Sequence, residues 1–438
     1  MKLAVVVQRY GPAISGGAEL HARYIAEHLA RHAEVDVLTT YASDYLTWRN
    51  EARHAREHVN GVPVHRFRVE HERDLIDFSR RSAAVFDRPH SLDAELRWLD
   101  SEGPASPALV QYVAAHAGSY DFCLFFSYRY YQAYHGARAA AARAVLVPTA
   151  ERDPAIGLRL FQPLFRGVRA VMYNSPEEQA MIQAVSGNHD VPGVVVGVGS
   201  EVPHDAQPDR FRQKYGVQGR FAVYVGRIDE NKGCTELFEF FEAYLQDSGR
   251  LSLLLIGQAL LPTPRHPHIR HLGFLDDADK FDAMAAADLL IIPSYFESLS
   301  MVALEAWALG RPVVANGRCD VLKGQCIRSN AGLCYESYPE FAAVIRSLEQ
   351  SLRFGRTLGA RGRQFFRDHY DWPVIERKYL DMFRQLEGRP PARTMEPLPG
   401  WFERRRRNLP AARDVLARLP RGAALERAAE PALAGTGS

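Results

Sequence analysis

Short apolar runs alternate with amphipathic segments along most of the chain. The run KLAVVVQ is followed by Ala18, Ala22, Ile25 and Leu29 at helical spacing, and the alternation continues through VDVLTT, DFCLFFS, AVLVPT, AVMYN and VVVG. It begins again at FAVYVG and continues through LSLLLIG, DLLIIP, RPVVA and GLCY. Continuous apolar strands between helices are typical of parallel sheets covered on both faces. The pattern predicts an α/β protein with two doubly wound, Rossmann-like domains.

The domain boundaries follow from changes in this pattern. The segment GSEVPHDAQPD at residues 199–209 is polar and contains two prolines, which indicates a hinge. We therefore predict an N-terminal domain over residues 1–200 and a C-terminal domain over residues 201–371. Residues 372–388 have the apolar spacing of an amphipathic helix. An Arg/Ala-rich extension occupies residues 389–438.

Charge and composition narrow the classes of partner. The 54 basic and 52 acidic residues give a net charge of +2, which argues against a nucleic-acid-binding protein. No run of about eighteen apolar residues occurs, so no membrane span is predicted. The first apolar run ends at Gln8 and Arg9, before a signal-peptide core is complete, and five cysteines fit a reducing compartment. We therefore expect a cytoplasmic protein.

The basic tail allows two interpretations. Residues 391–438 contain nine arginines against five acidic residues, and a solvated extension is the simpler interpretation. Trp401 and Phe402 beside the arginines 404–407 suggest the alternative, which is peripheral contact with an anionic membrane surface. This alternative would place the protein at the inner face of the membrane.

The segment DLLIIPSYFESLSMVALE has the construction of an anion-binding site. A buried strand, a turn and a helix beginning near Ser298 would present the amides of Leu299, Ser300 and Met301 to a phosphate. Glu305 is five residues beyond Ser300, which corresponds to about 7.5 Å along the helix axis. This distance suits a contact with the hydroxyls of a ribose attached to the phosphate. Its eight neighbours from Met301 to Leu309 are apolar, so the alternative that Glu305 points to solvent is the weaker one. Glu297 would face the group on the other side of the phosphates.

Two further segments could meet an anion. GRIDENKG at residues 226–233 directly follows a predicted strand, and Gly226, Arg227 and Lys232 could form a diphosphate clamp, although such a motif alone is often a polar loop. YGPAISGGAEL follows the first strand, and Gly16 and Gly17 permit close backbone approach at a helix start. The second segment matches neither a Walker loop nor a GxGxxG fingerprint.

These motifs together resemble a known family. GGAE, GRIDENKG, LIIPSYFESLSMVALEAWALGRPVVA and YDWPVIERKYLDMF are similar to segments of the retaining glycosyltransferases of family 4, which have the GT-B fold. The resemblance is strongest over residues 220–335 and spans about residues 1–388. It implies transfer of a sugar from a nucleotide-diphosphate sugar to a hydroxyl acceptor, in polysaccharide or glycoconjugate biosynthesis, with a saccharide or lipid-linked acceptor.

The resemblance also implies roles for individual residues. The N-terminal domain would hold the acceptor, the C-terminal domain would hold the donor, and residues 372–388 would cross back to the first domain. The nucleotide-sugar would be a co-substrate, with no resident cofactor and no metal ion. The implied catalytic residues are Glu297, Arg227 and Lys232, and the implied donor-binding residues are Gly16, Gly17, Gly226, Gly257, Gly273, Phe274, Leu275, Ser298, Leu299, Ser300, Met301 and Glu305.

One departure from the family pattern concerns the acceptor side. Many members carry a histidine after the strand that corresponds to AVLVPT, whereas this chain has Glu151, with Asp153 close by. A glycosyltransferase-like binding or scaffold protein without turnover is therefore the alternative function.

Other enzyme classes fit the sequence less well. A glycoside hydrolase places its carboxylates about 5 to 9.5 Å apart, whereas Glu297 and Glu305 would be about 12 Å apart on one helix. The absent glycine fingerprint disfavours a nucleotide-dependent oxidoreductase. Asp277 and Asp279 form a DxD, but we interpret them as structural acids at a helix start.

Overall fold

The computed structural model describes residues 1–14, 16–389 and 395, and it contains two β-sheets. The first sheet has the strand order β3-β4-β2-β1-β5-β6-β7-β8. Its β3–β4 pair is antiparallel and its other pairs are parallel. The strands of this sheet are β1 (Lys2–Val6), β2 (Glu34–Thr40), β3 (Arg56–Val59), β4 (Val62–Phe67), β5 (Phe122–Phe126), β6 (Ala144–Val147), β7 (Ala170–Tyr173) and β8 (Gly193–Val195).

The second sheet is parallel throughout and has the order β11-β10-β9-β12-β13-β14. The strands of this sheet are β9 (Phe221–Val225), β10 (Ser252–Ile256), β11 (Ile269–Gly273), β12 (Leu289–Ile292), β13 (Val313–Asn316) and β14 (Gly332–Tyr335). Two sheets whose pairs are parallel except β3–β4, with helices between their strands, confirm the predicted α/β class.

Helices connect the strands of both sheets. The first half contains α1 (Gly17–Leu29), α2 (Leu75–Phe86), α3 (Leu92–Glu102), α4 (Pro107–His116), α5 (Tyr131–Ala139), α6 (Phe161–Gly167) and α7 (Pro176–Ser186). The second half contains α8 (Pro208–Tyr215), α9 (Cys234–Gln246), α10 (Asp277–Ala286), α11 (Met301–Ala308), α12 (Asp320–Ser329), α13 (Tyr338–Gln350), α14 (Leu352–His369) and α15 (Trp372–Leu386). None of these described helices is long and apolar enough to span a bilayer.

The strands are buried on both faces. In β1, Leu3 and Val5 point into one apolar cluster while Ala4 and Val6 point into another, and all four are fully buried. Successive side chains of a strand point to opposite faces, so a strand that is apolar at every position must be covered on both sides. This is the physical reason why the continuous apolar runs form central strands.

The last helix packs against the first half of the chain. Phe383 of α15 stacks on Phe122 at a centroid distance of 4.9 Å, and Trp372 stacks on His28 of α1 at 3.5 Å. Glu376 accepts a hydrogen bond at 2.7 Å from the same histidine. α15 therefore joins the end of the second half to the first sheet. The domain limits at residues 200 and 371 stay a prediction, and the Arg/Ala-rich extension lies outside the described residues apart from Arg389 and Met395.

The two halves also touch directly. Arg152 forms an ion pair with Asp320 at 2.6 Å, and Arg328 of α12 donates to Glu177 of α7 at 3.0 Å. These contacts bring the loop after β6 close to the second half. They define one edge of the space between the two sheets.

Candidate active site

A cavity of about 500 Å³ lies between the two halves. Its walls come from the start of α1 and the loops after β5 and β6 on one side, and from the segments after β9 and β12 on the other. The carboxyl ends of parallel strands are where open α/β sheets bind ligands. The lining includes most of the residues predicted from the sequence, namely Gly16, Gly17, Glu151, Asp153, Gly226, Arg227, Lys232, Glu297, Ser298, Leu299, Ser300, Met301 and Glu305.

Asp229 organises the loop between β9 and α9. Its carboxylate accepts hydrogen bonds from the Arg227 Nε and, at 2.8 Å, from the backbone N–H of Lys232. At Gly233 the chain adopts φ +71°, and a Cβ there would lie 2.2 Å from the carbonyl oxygen of Pro293. This close approach requires glycine and sets the start of α9 against the end of β12. Arg227 and Lys232, which this loop carries, both line the cavity.

Lys232 and Glu297 form an ion pair inside the cavity. The Lys232 Nζ lies 2.8 Å from Glu297 Oε1, and the two side chains are 32% and 13% exposed. Burial by itself lowers the pKa of Lys232, but the charges of Glu297 and Glu151 more than offset it, so the pKa of Lys232 is raised. The lysine is therefore a permanent cation at neutral pH. Two residues that are 65 positions apart in sequence meet here.

The helix that carries Glu305 begins later than the sequence predicted. α11 starts at Met301 with Ser300 as its N-cap residue in an extended conformation, so the predicted start near Ser298 is wrong. The segment before Ser300 is irregular and brings Glu297 towards Lys232. The amides of Met301 and Val302, at the start of α11, have no partner within the helix, and both residues line the cavity. The Ser300 Oγ is buried and has no hydrogen-bond partner among the described residues.

Glu305 is paired inside the protein. Its side chain is 7% exposed, and its Oε1 lies 3.2 Å from the Nζ of Lys280, which belongs to α10. Burial raises the pKa of Glu305, and Lys280 only partly offsets this. Burial lowers the pKa of Lys280, but Glu305 and Asp277 reverse the effect and raise it. The interpretation that Glu305 points to solvent is therefore wrong, whereas its contact with a ribose stays a prediction.

The first half contributes ion pairs around two arginines, Arg9 and Arg129, at the cavity wall. Arg9 Nε donates to Glu19 Oε1 at 2.9 Å, and a Cβ at Gly16 would lie 2.1 Å from the Glu19 carboxylate. A side chain at position 16 would therefore displace the Glu19 carboxylate from its present position beside Arg9. Arg129 binds Asp153 and, at 2.8 Å, the buried Glu102. Burial lowers the pKa of Arg129, but these carboxylates more than compensate and raise it.

Comparison with known proteins gives a family model and sequence relatives that this chain resembles. Residues 219–351 match the family model described as glycosyl transferases group 1. The phosphatidyl-myo-inositol mannosyltransferase of Mycobacterium tuberculosis is 28% identical over 208 residues, which are 43% of this chain and 54% of that protein. The chain thus spans about half the length of this relative.

Solved structures match over more of the chain. The sucrose-phosphate synthase of Thermosynechococcus elongatus has a TM-score of 0.65 and 18% identity, and the match covers 88% of this chain and 98% of that one. Anabaena HepE in complex with UDP-glucose has a TM-score of 0.64 and 19% identity, and it covers 88% and 100%. The chain has the GT-B fold. At this level of identity the likeness establishes the fold alone.

Four of the residues predicted to bind the nucleotide-sugar donor do not line the cavity. Gly257, Gly273, Phe274 and Leu275 are absent from its wall, and Phe274 is 75% exposed. A Cβ at Gly257 would lie 1.9 Å from the carbonyl oxygen of Gly226, so these two backbones meet beside the cavity. The role of the four residues near a nucleotide base stays a prediction.

The DxD pair lies in the first turn of α10. Asp279 accepts a hydrogen bond at 2.6 Å from Lys214 and one at 2.7 Å from the hydroxyl of Tyr215, and Asp277 pairs with Lys280 at 3.2 Å. Both carboxylates therefore bind neighbouring side chains, and neither residue lines the cavity.

Several residues of the site were not predicted from the sequence. Asp229, Lys280 and Arg129 each hold a predicted site residue in place. Asp229 lies inside the motif that contains Arg227 and Lys232, so its position there was an available signal. Lys280 and Arg129 belong to other elements, and only the tertiary structure brings them to their partners.

Proposed function

We propose that the protein is a retaining glycosyltransferase of family 4. It would transfer a sugar from a nucleotide-diphosphate sugar to a hydroxyl of a saccharide or lipid-linked acceptor, in polysaccharide or glycoconjugate biosynthesis. The observation that carries the proposal is the convergence of Arg227, Lys232, Glu297 and the start of α11 on one cavity between the two halves. The names of the mannosyltransferase relative and of the HepE complex with UDP-glucose support the coarser part of the proposal, a glycosyltransferase that uses a nucleotide-sugar.

The leaving diphosphate would be stabilised by cations and amides. Cleavage of a glycosyl phosphate leaves negative charge on the diphosphate, and preorganised donors stabilise such charge without reorganisation during the reaction. The Nε of Arg227 is held by Asp229, and the terminal amino groups of its guanidinium would bind the diphosphate in the cavity that Arg227 lines. Lys232 and the first amides of α11 would complete the cradle. These groups would act without a metal ion.

Glu297 would lie beside the sugar that is transferred. It shares the cavity with Lys232, and on diphosphate binding the lysine would divide its hydrogen bonds between Glu297 and the phosphates. Retention through attack on the same face of the sugar would use a leaving-group oxygen to accept the proton of the acceptor. Such a reaction needs no dedicated base, and the proposal assigns none.

The main alternative is a binding or scaffold protein without turnover. It is favoured by Glu151, which replaces the histidine found in many family members. A cytoplasmic location, and membrane contact through the basic tail, are parts of the proposal that rest on sequence composition alone.

Ligand binding and donor breakdown distinguish these functions. Thermal shift with UDP, GDP and ADP should reveal one preferred nucleotide, since a ligand at 100 times its Kd adds about 2.7 kcal/mol to the stability of the folded state. Release of labelled sugar from the matching nucleotide-sugar, equal in EDTA and in Mg²⁺, would support a metal-independent transferase. Binding without release would favour the scaffold protein, and absence of nucleotide binding would refute both.

A further inference from the structure

Glu151 differs from the other charged residues that line the cavity. Its carboxyl is half-buried and has no hydrogen-bond or ion-pair partner among the described residues. The charged neighbours in the cavity wall are paired: Glu19 with Arg9, Asp153 with Arg129, Glu297 with Lys232, Glu305 with Lys280, and Arg227 with Asp229. Burial of a polar group without a partner costs free energy, so this carboxyl is a group prepared for a ligand.

The backbone before Glu151 is held in an unusual conformation. Thr149 has φ +46° and Ser127 has φ +63°, and the Thr149 hydroxyl donates to the Ser127 Oγ at 2.8 Å. A β-branched residue at positive φ is an outlier that persists only where the surrounding structure fixes it. Both residues line the cavity. The loop is therefore built to present its next residues there.

Glu178 fixes the same loop from behind. Its Oε1 accepts the backbone N–H of Ala150 and its Oε2 accepts that of Asn174, each at 2.5 Å. Burial raises the pKa of Glu178 to about 8, although both hydrogen bonds act in the opposite direction. Because Ala150 directly precedes Glu151, Glu178 acts as a positioning residue for the cavity carboxyl.

The charges that face Glu151 come from both halves. Glu297 and Lys232 face it from the second half, and Asp153 and Arg129 face it from the first. Burial, followed by the negative charge of Glu297, raises the pKa of Glu151 to about 7. A diphosphate bound at Lys232 would bring further negative charge and would favour the protonated carboxyl still more.

We propose that Glu151 is a neutral carboxylic acid in the ligand complex, that it donates a hydrogen bond to a hydroxyl of the sugar beside Glu297, and that a nucleotide-sugar binds with uptake of one proton. This inference rests on the proposed function. A protonated carboxyl is an O–H donor, whereas a carboxylate only accepts hydrogen bonds. The carboxyl would then be a specificity-determining contact for the sugar, and its presence in place of histidine would not indicate lost function.

Calorimetry with UDP-glucose and, in parallel, GDP-mannose tests the proton uptake. These diphosphate diesters do not titrate near neutrality, so a proton taken up on binding belongs to the protein. Titrations between pH 6 and pH 8.5 in two buffers of different protonation enthalpy should show proton uptake that is small at pH 6 and rises towards one proton above the pKa of the free carboxyl. Above the pKa of the free carboxyl, Kd should rise towards tenfold per pH unit. Glu151→Gln should bind without this uptake and without this pH dependence.

A control variant and a stability measurement distinguish a wrong role for Glu151 from a wrong proposed function. Glu239→Gln, an exposed change of the same charge on α9, should behave as the wild type. In the ligand-free protein, the denaturant midpoint of Glu151→Gln should rise relative to that of the wild type between pH 5 and pH 8. A difference in denaturant midpoint between Glu151→Gln and the wild type that does not change with pH overturns the role of Glu151. Equal proton uptake by Glu151→Gln and the wild type overturns it as well. Absence of binding of both nucleotide-sugars by the wild type instead overturns the proposed function, and with it the coupled uptake.

Discussion

Lys280→Met tests the pairing that explains the buried Glu305. The substitution keeps the length and apolar stem of the side chain but removes the ammonium that lies 3.2 Å from Glu305 Oε1. The Glu305 side chain is 7% exposed, so water can compensate only a small part of the lost cation. Removing one partner of a buried ion pair costs about 3 to 5 kcal/mol.

The free-energy cost of protonating Glu305 gives a second, independent value for this loss of stability. An ordinary glutamate has a pKa of about 4.3, and each pKa unit corresponds to about 1.4 kcal/mol, so neutralising Glu305 at pH 7 costs about 3.7 kcal/mol. Both approaches predict a loss of about 3 to 4 kcal/mol at pH 7. At pH 5 the same neutralisation costs about 1 kcal/mol, so the destabilisation should fall with pH.

Urea unfolding at pH 7 and pH 5 measures the effect. Lys214→Met is the matched control, because Lys214 pairs with Asp279 on the same helix α10 but is 55% exposed, and its loss should be much smaller. Adding Glu305→Gln to Lys280→Met should restore most of the stability at pH 7, since no buried charge then remains unpaired. Equal losses for Lys280→Met and Lys214→Met at pH 7 would refute the reasoning.

Two further predictions concern the loop between β9 and α9. Arg227→Ala and Lys232→Ala should each lower kcat about 100- to 1,000-fold, because loss of other anion-stabilising donors has an effect of this size. Initial rates of sugar release measure the effect. Decreases below tenfold in both variants would contradict the diphosphate cradle. Gly233→Ala should lower Tm more than Gly216→Ala. Both glycines have positive φ, but only at Gly233 would the new Cβ collide, at 2.2 Å from the Pro293 oxygen. Equal decreases in Tm would show that the contact with Pro293 is unimportant.

The central strands and the amphipathic helices were predictable from local pattern. The helical spacing of Ala18, Ala22, Ile25 and Leu29 falls within α1, and the apolar spacing after Trp372 coincides with α15. The pattern did not predict β3 (Arg56–Val59) and β11 (Ile269–Gly273), which are edge strands of their sheets. An edge strand needs fewer apolar residues because it is covered less completely, so its hydrophobic signal is weaker.

The candidate site was predictable only in part. Its glycines and cations form a short motif at residues 226–233, and Glu305 stood out because its neighbours are apolar. Nothing in the local pattern indicated that α11 begins at Met301, since the preceding serines are equally good N-cap residues. Nothing in it indicated the pairing with Lys280 either, because Lys280 lies on a different helix.

The sequence by itself determined the α/β class, the repetition of the strand-helix pattern and the segments that can bind an anion, because these depend on the spacing of residues close in the chain. The tertiary structure decided which charges meet: Lys232 with Glu297, Glu305 with Lys280, and Glu151 with no partner among the described residues. A local pattern indicates which face of a helix or strand is buried, but it does not indicate which other element packs against that face. The stability of a buried charge depends on the groups within a few ångströms of it, and those groups come from distant parts of the chain.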